Sequence, residues 1–189
     1  MTTSIREQLD ANASTDANGI WITSPDDGAT VTWAEAADHS RQIACHLDDL
    51  GLESGAAVAV AAPNSIWATL CFTGITYGGH LATPLNLVAG ARVLSYVIGH
   101  SKASVILCAD QCRHLIDEAL AEIEHKVTVI RIDLETGPQW IEEADPKPEP
   151  QNLPAPETPG LLMYTSGTTG RPKGVVLGHG NLMAAGLNV

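Results

Sequence analysis

Between Ala56 and Pro63 the chain reads AAVAVAAP. An apolar run this short, rich in valine and bounded by Gly55 and a proline, reads as a strand with neither face left for water. Such a strand needs a sheet covered on both sides, and that requirement constrains the fold more than any other stretch. ASVILCA (103–109) repeats the pattern, and KVTVIRID (126–133) supplies a further strand.

The segments between these runs carry helical signals. VTWAEAADHSRQIACHLDDLG (31–51) opens with Thr32 and Glu35, the spacing of a capping box, and closes on Gly51. Ile43, Leu47 and Leu50 recur at helical spacing within it. NSIWATLCFTGITYGG (64–79) reads as a second helix ending on two glycines, and HLATPLN (80–86) as a short extended piece. AGARVLSYVIGHS (89–101) is predicted amphipathic, with Val93, Tyr96 and Val97 on one side, and QCRHLIDEALAEIE (111–124) is a further helix. Strand and helix alternation of this kind predicts an α/β fold: a doubly wound, mostly parallel sheet with helices on both faces. Aromatics make up only 4% of the 189 residues, so Ala, Val, Leu and Ile must fill the interior.

Residues 1–133 are expected to form this α/β unit. From Leu134 to Gly160 the composition shifts: seven of the eleven prolines fall there with Glu and Asp, which predicts an exposed, partly extended connector. Residues 161–189 then read as strand, loop, strand and the start of a helix, because GLLMY (160–164) and GVVL (174–177) are apolar and NLMAAGLNV begins a helical pattern. That last helix carries no stop signal, so the fold is expected to be cut short.

A net charge of −12 excludes a nucleic-acid binder, which needs a basic face against phosphates. Any anionic ligand must be held by local donors against the overall field. The four cysteines, Cys45, Cys71, Cys108 and Cys112, are scattered, three of them in apolar runs, and are expected to be small buried hydrophobes. With no secretory apolar core at the N-terminus and no run long enough to span a bilayer, the expected location is the cytoplasm. Cys108, Cys112 and His114 do not make a usual zinc spacing. His39, His46, His80, His100 and His125 are dispersed, Asp48–Asp49 and Glu142–Glu143 are expected on solvated faces, and the four tryptophans are too far apart in sequence for a ligand cage.

Between the last two strands lies YTSGTTGRPKG (164–174). Glycines let backbone N–H groups approach an anion, Thr165, Ser166, Thr168 and Thr169 offer neutral hydroxyl donors, and Lys173 adds a compact cation beside the rigid Pro172. The pattern G-x-x-G-x-x-K-G matches neither the Walker nor the dinucleotide fingerprint.

Preceded by LLM and followed by VVLGHGNL, this string resembles the phosphate-binding loop of the adenylate-forming enzymes, acyl-CoA synthetase type. The resemblance extends upstream to about Thr32, through AAVAVAAPNS and GITYGGHLATPLNLVAGARVLSYVIGHSKASVILC. It implies the N-terminal portion of that fold, and a parent enzyme that activates a carboxylate with ATP to an acyl-adenylate and then forms a CoA thioester. By the family's pattern Thr165, Ser166, Gly167, Thr168, Thr169 and Lys173 hold the β- and γ-phosphates with Mg2+, while Gly170 and Gly174 free the loop to fold over the nucleotide. The family's Tyr-Gly-x-Thr-Glu stretch, ribose aspartate, hinge and C-terminal lysine are not in this sequence. The chain is therefore expected to carry no catalytic residue or protein metal ligand and to be inactive alone. The alternative expectation is a non-catalytic fragment, or half of a split protein, that binds a complementary chain or itself through unpaired sheet edges. LGHGNL also departs from the family, which more often has Thr-His there; His179 is expected to sit near the loop in a structural role.

Overall fold

The computed structural model describes residues 3–138, 140, 149–150, 152–165 and 171–187, so Glu142 and Glu143 lie outside the described residues. Helix α1 (Ile5–Thr15) starts at Ser4, whose hydroxyl accepts the Glu7 amide. A small antiparallel hairpin follows, β1 (Ile20–Thr23) and β2 (Thr30–Thr32). Neither α1 nor this hairpin was anticipated from the sequence.

Helix α2 (Trp33–Asp49) forms where the capping box predicts. The Glu35 amide donates to the Thr32 hydroxyl at 3.3 Å, and the Thr32 amide donates to the Glu35 carboxylate at 2.8 Å, so each side chain satisfies a donor the helix start leaves orphaned. Past its end the chain turns at Gly51, whose φ of +74° a β-carbon would disfavour. Then come β3 (Ala57–Ala61), α3 (Ile66–Tyr77), β4 (Leu81–Pro84), a 3-10 turn (Leu87–Ala89), α4 (Ala91–Ser101) and β5 (Val105–Ala109). A second 3-10 turn (Asp110–Cys112) leads into α5 (Arg113–Leu120), and β6 (Thr128–Ile132) follows. The chain continues with β7 (Pro159–Thr165), β8 (Lys173–Gly178) and α6 (His179–Leu187).

The main sheet has the order β6-β5-β3-β4-β7-β8. All its pairings are parallel except β7 with β8. Both β3 and β5 are buried at every position, as their unbroken apolar runs require. From β3 the chain steps to β4 through α3, then back across β3 to β5 through α4, and on to β6 through α5. Right-handed crossovers in opposite directions put α3 on one face and α4 and α5 on the other, which is the doubly wound arrangement. Accordingly α1, α2 and α3 pack together, and α4 packs with α5.

Four details differ from the sequence reading. In α4 the buried residues are Leu94, Ser95, Val97 and Ile98, with Val93 and Tyr96 only half covered, because that stripe faces both the sheet and α5. α5 stops at Leu120 rather than Glu124. Asp48, expected in solvent, turns its side chain inward to 14% exposure, 3.5 Å from Nε2 of the fully buried His80. The predicted connector is not uniformly exposed: Gly137, Pro138, Pro150 and Pro154 are buried, Glu135 accepts the Trp67 indole N–H at 3.1 Å, and Trp140 stacks on His46 with ring centroids 4.0 Å apart. All four cysteines are buried free thiols.

Candidate functional site

The Gly/Ser/Thr-rich string sits at the tip of the β7–β8 ribbon. Leu161 and Leu162 of β7 are buried and anchor the ribbon, while the four leading residues of β8 are exposed. The register pairs Leu162 with Val176, Met163 with Val175, Tyr164 with Gly174 and Thr165 with Lys173. Because strand side chains alternate faces, Thr165 and Lys173 share one face and Tyr164 and Gly174 the other. Thr165 and Lys173 are both exposed, and directly opposed residues stand about 5 Å apart at their β-carbons. The loop leaves β7 at its carboxyl end, the end where open α/β sheets bind ligands.

The structure thus brings Thr165, Lys173 and Gly174 together at the loop's base. Ser166, Gly167, Thr168, Thr169 and Gly170, also predicted to bind the nucleotide, lie outside the described residues. Arg171 is a second exposed cation just before Lys173.

His179, the first residue of α6, is fully buried behind the ribbon. Its Nδ1 accepts the Ile5 amide at 3.3 Å, Nε2 has no partner among the described residues, and burial holds its pKa below the ordinary histidine value. It ties α1 to α6, consistent with a structural role. No group of three or more His, Cys, Asp or Glu able to hold a metal occurs among the described residues; His114 is exposed beside Glu118. No described helix is long and apolar enough to cross a membrane.

A groove of about 890 Å3 lies elsewhere, between the β1–β2 hairpin and the starts of α2 and α3. Asp27, Glu35, His39, Asn64, Trp67 and Glu135 line it, and no residue of β7 or β8 does. Its carboxylates disfavour a polyphosphate, so size alone does not mark the nucleotide site. Sequence reasoning also missed a contact at the ribbon: His100 Nδ1 lies 2.7 Å from the Tyr164 hydroxyl. Nothing in the local sequence signals that pair, since it joins residues 64 positions apart.

Comparison with known proteins agrees with this architecture. The family described as AMP-binding enzyme matches residues 4–189. The chain belongs to that family. It is 34% identical over 174 residues to a sulfoacetate–CoA ligase of Cupriavidus necator, covering 89% of this chain and 33% of that protein. A long-chain-fatty-acid–CoA ligase of Mycobacterium bovis is 32% identical over 179 residues, covering 88% of this chain and 28% of its own length. A Mycobacterium tuberculosis fatty acyl CoA synthetase superposes with a TM-score of 0.81 at 25% identity, over 94% of this chain and 35% of that one. A long-chain-fatty-acid-CoA ligase from Archaeoglobus fulgidus shares the fold, with a TM-score of 0.86 at 22% identity over 99% of this chain and 39% of that one. This member of the family spans a third or less of the length of the curated relatives first matched.

Proposed function

We propose that this chain supplies the nucleotide-phosphate-binding part of an ATP-dependent carboxylate-activating ligase that forms a CoA thioester. The observation that carries the reading is the pairing of Thr165 with Lys173 at the mouth of the YTSGTTGRPKG loop, on an exposed face at the carboxyl end of a sheet strand. A hydroxyl and a compact ammonium side by side fit anionic phosphate oxygens, and they act locally against a net charge of −12. In this reading Thr165, Ser166, Gly167, Thr168, Thr169 and Lys173 hold the β- and γ-phosphates of ATP with Mg2+. Gly170 and Gly174 let the backbone fold close to them. ATP supplies the electrophilic phosphorus and the pyrophosphate leaving group. The residues of this chain orient that group and neutralise its charge, which is most of what catalysis of phosphoryl transfer demands.

The relatives named for CoA ligation are about three times as long or longer, so the carboxylate pocket and the residues that act on it belong to length this chain does not cover. By itself it binds MgATP without turnover. Titration calorimetry with MgATP tests this. Lys173→Ala removes a charge-assisted contact worth about 1.5–3 kcal/mol and weakens binding roughly ten- to hundredfold. Equal affinity in the wild type and the variant, or no affinity in the wild type, overturns the reading.

A second reading has one specific observation in its favour. β8 is an edge strand with Val175 and Val176 45% and 55% exposed, which invites pairing with another β-edge. A concentration-dependent dimer in light scattering, lost in Val176→Lys, supports self-association through that edge; a monomer at all concentrations refutes it.

A further inference from the structure

Tyr164 is the last residue before the loop's hydroxyl cluster, and its side chain is held from outside the ribbon. Its hydroxyl lies 2.7 Å from Nδ1 of His100, on α4, so with the ring proton on Nε2 the phenol donates to Nδ1. The two rings meet edge to face at 5.7 Å, and Tyr96, one helical turn before His100, packs against the imidazole at 5.5 Å. A Tyr96–His100–Tyr164 ladder thus runs from α4 onto β7.

The other side of Tyr164 faces the return strand. A β-carbon built on Gly174 would stand 3.4 Å from the Tyr164 ring and 3.0 Å from Leu162 Cδ1. The phenol therefore lies over the bare Cα of Gly174, its cross-strand partner. Whatever fixes the phenol fixes the spacing and twist of β7 against β8 at the point where the loop begins and ends. On the opposite face of the ribbon, one residue further along, stand Thr165 and Lys173.

We propose that His100 is a positioning residue for the phosphate-binding site: through Tyr164 it sets the geometry of the two strand ends that present Thr165 and Lys173. His100 itself touches no ligand. It acts as a strut between α4 and the ribbon, converting the rigidity of a helix packed on the sheet into preorganisation of an exposed turn. Burial pushes the Tyr164 phenol above its usual value, aided by Tyr96, which keeps it a protonated donor at neutral pH.

The inference rests on the nucleotide reading, and two measurements on this chain separate their fates. Amide hydrogen exchange reports the ribbon directly. His100→Phe keeps a ring against Tyr96 but removes the acceptor, and is expected to speed exchange at Thr165, Lys173 and Gly174 roughly threefold, the factor of one partly exposed hydrogen bond. Amides of β3 and β5 are expected to stay as in the wild type. His100→Asn, which offers an acceptor near the Nδ1 position, restores slow exchange, and Tyr164→Phe added to His100→Phe changes nothing further. Calorimetry is expected to show MgATP affinity falling roughly threefold in His100→Phe and recovering in His100→Asn. Unchanged ribbon exchange in His100→Phe, or acceleration spread equally over β3 and β5, overturns the proposal even if Lys173→Ala abolishes binding. Localised acceleration with no MgATP affinity in the wild type upholds the strut and sinks the nucleotide reading alone.

Discussion

Helices α2 and α3 touch most closely at Gly74. A β-carbon there would lie 2.5 Å from Ile43 Cβ, 2.7 Å from its Cγ2 and 3.1 Å from its Cδ1. Carbon atoms prefer separations of about 3.5–4.0 Å, so Gly74→Ala drives the helices apart by roughly 1 Å. The contacted Ile43 Cβ is fixed to its own backbone and cannot rotate away. Overpacking of this kind costs about 1–3 kcal/mol, and the immobile partner argues for the top of that range. Separation also stretches the buried bond between the Ser40 and Thr73 hydroxyls, now 2.9 Å across the same interface. Against this, replacing a helical glycine by alanine returns roughly 1 kcal/mol. The net expectation is a loss of about 2 kcal/mol. For a chain of this size each kcal/mol moves Tm by about 2–4 °C, so the midpoint falls by about 4–8 °C. Gly99→Ala in α4 is the control, because its new β-carbon meets only Ile123 Cδ1 at an ordinary 3.5 Å. There the propensity gain stands alone, and Tm rises by up to about 4 °C. Thermal unfolding followed by circular dichroism reads both; a Gly74→Ala protein as stable as wild type refutes the argument.

Three histidines set an acid sensitivity. Burial lowers the pKa of His39, offset in part by Asp38 and Glu35; burial lowers that of His80, opposed by Asp48, and that of His179. Each takes up a proton more readily unfolded than folded, so its contribution to stability is intact above about pH 6.5 and is lost as pH falls from there toward the folded value. Urea midpoints should decline between pH 7 and 5, above the range where carboxylates protonate; a flat or rising midpoint contradicts this. The thiols should be inert in the native state, since burial pushes Cys71 up to about 12 and Cys108 up to about 11. A colorimetric thiol titration is expected to find almost none before denaturation and all four after it; rapid native reaction at Cys71 or Cys108 argues against their burial.

Much of the fold was legible wherever local signals and burial agree. The Thr32–Glu35 capping box marks α2 to the residue, and the runs around Val58 and Ile106 could only be doubly covered strands. The antiparallel sense of β8 was readable too, because the link from Thr165 to Lys173 is shorter than the dozen residues a parallel crossover needs. α1 escaped because its inner face mixes Leu9 with a buried Arg6, which breaks the apolar stripe; Ser4 and Glu7 were its remaining signal. The β1–β2 hairpin hid in strands of four and three residues, although Asp27-Gly28 between them is a turn signature. At the site, the donors lie in one contiguous string, so chemistry and sequence coincide. The Tyr164–His100 contact is created by packing between distant elements, and no local pattern announces it.

Helix α1 is made first and held by residues made last. The Arg6 guanidinium donates to the carbonyls of Pro150 and Asn152 at 3.3 and 3.1 Å and to the Glu149 carboxylate, while the Ile5 amide reaches His179. On the ribosome these partners emerge more than 140 residues after the segment that needs them. The leading helix must therefore wait, undocked, until most of the sheet has assembled, and its docking becomes the late, long-range step that seals the folded chain.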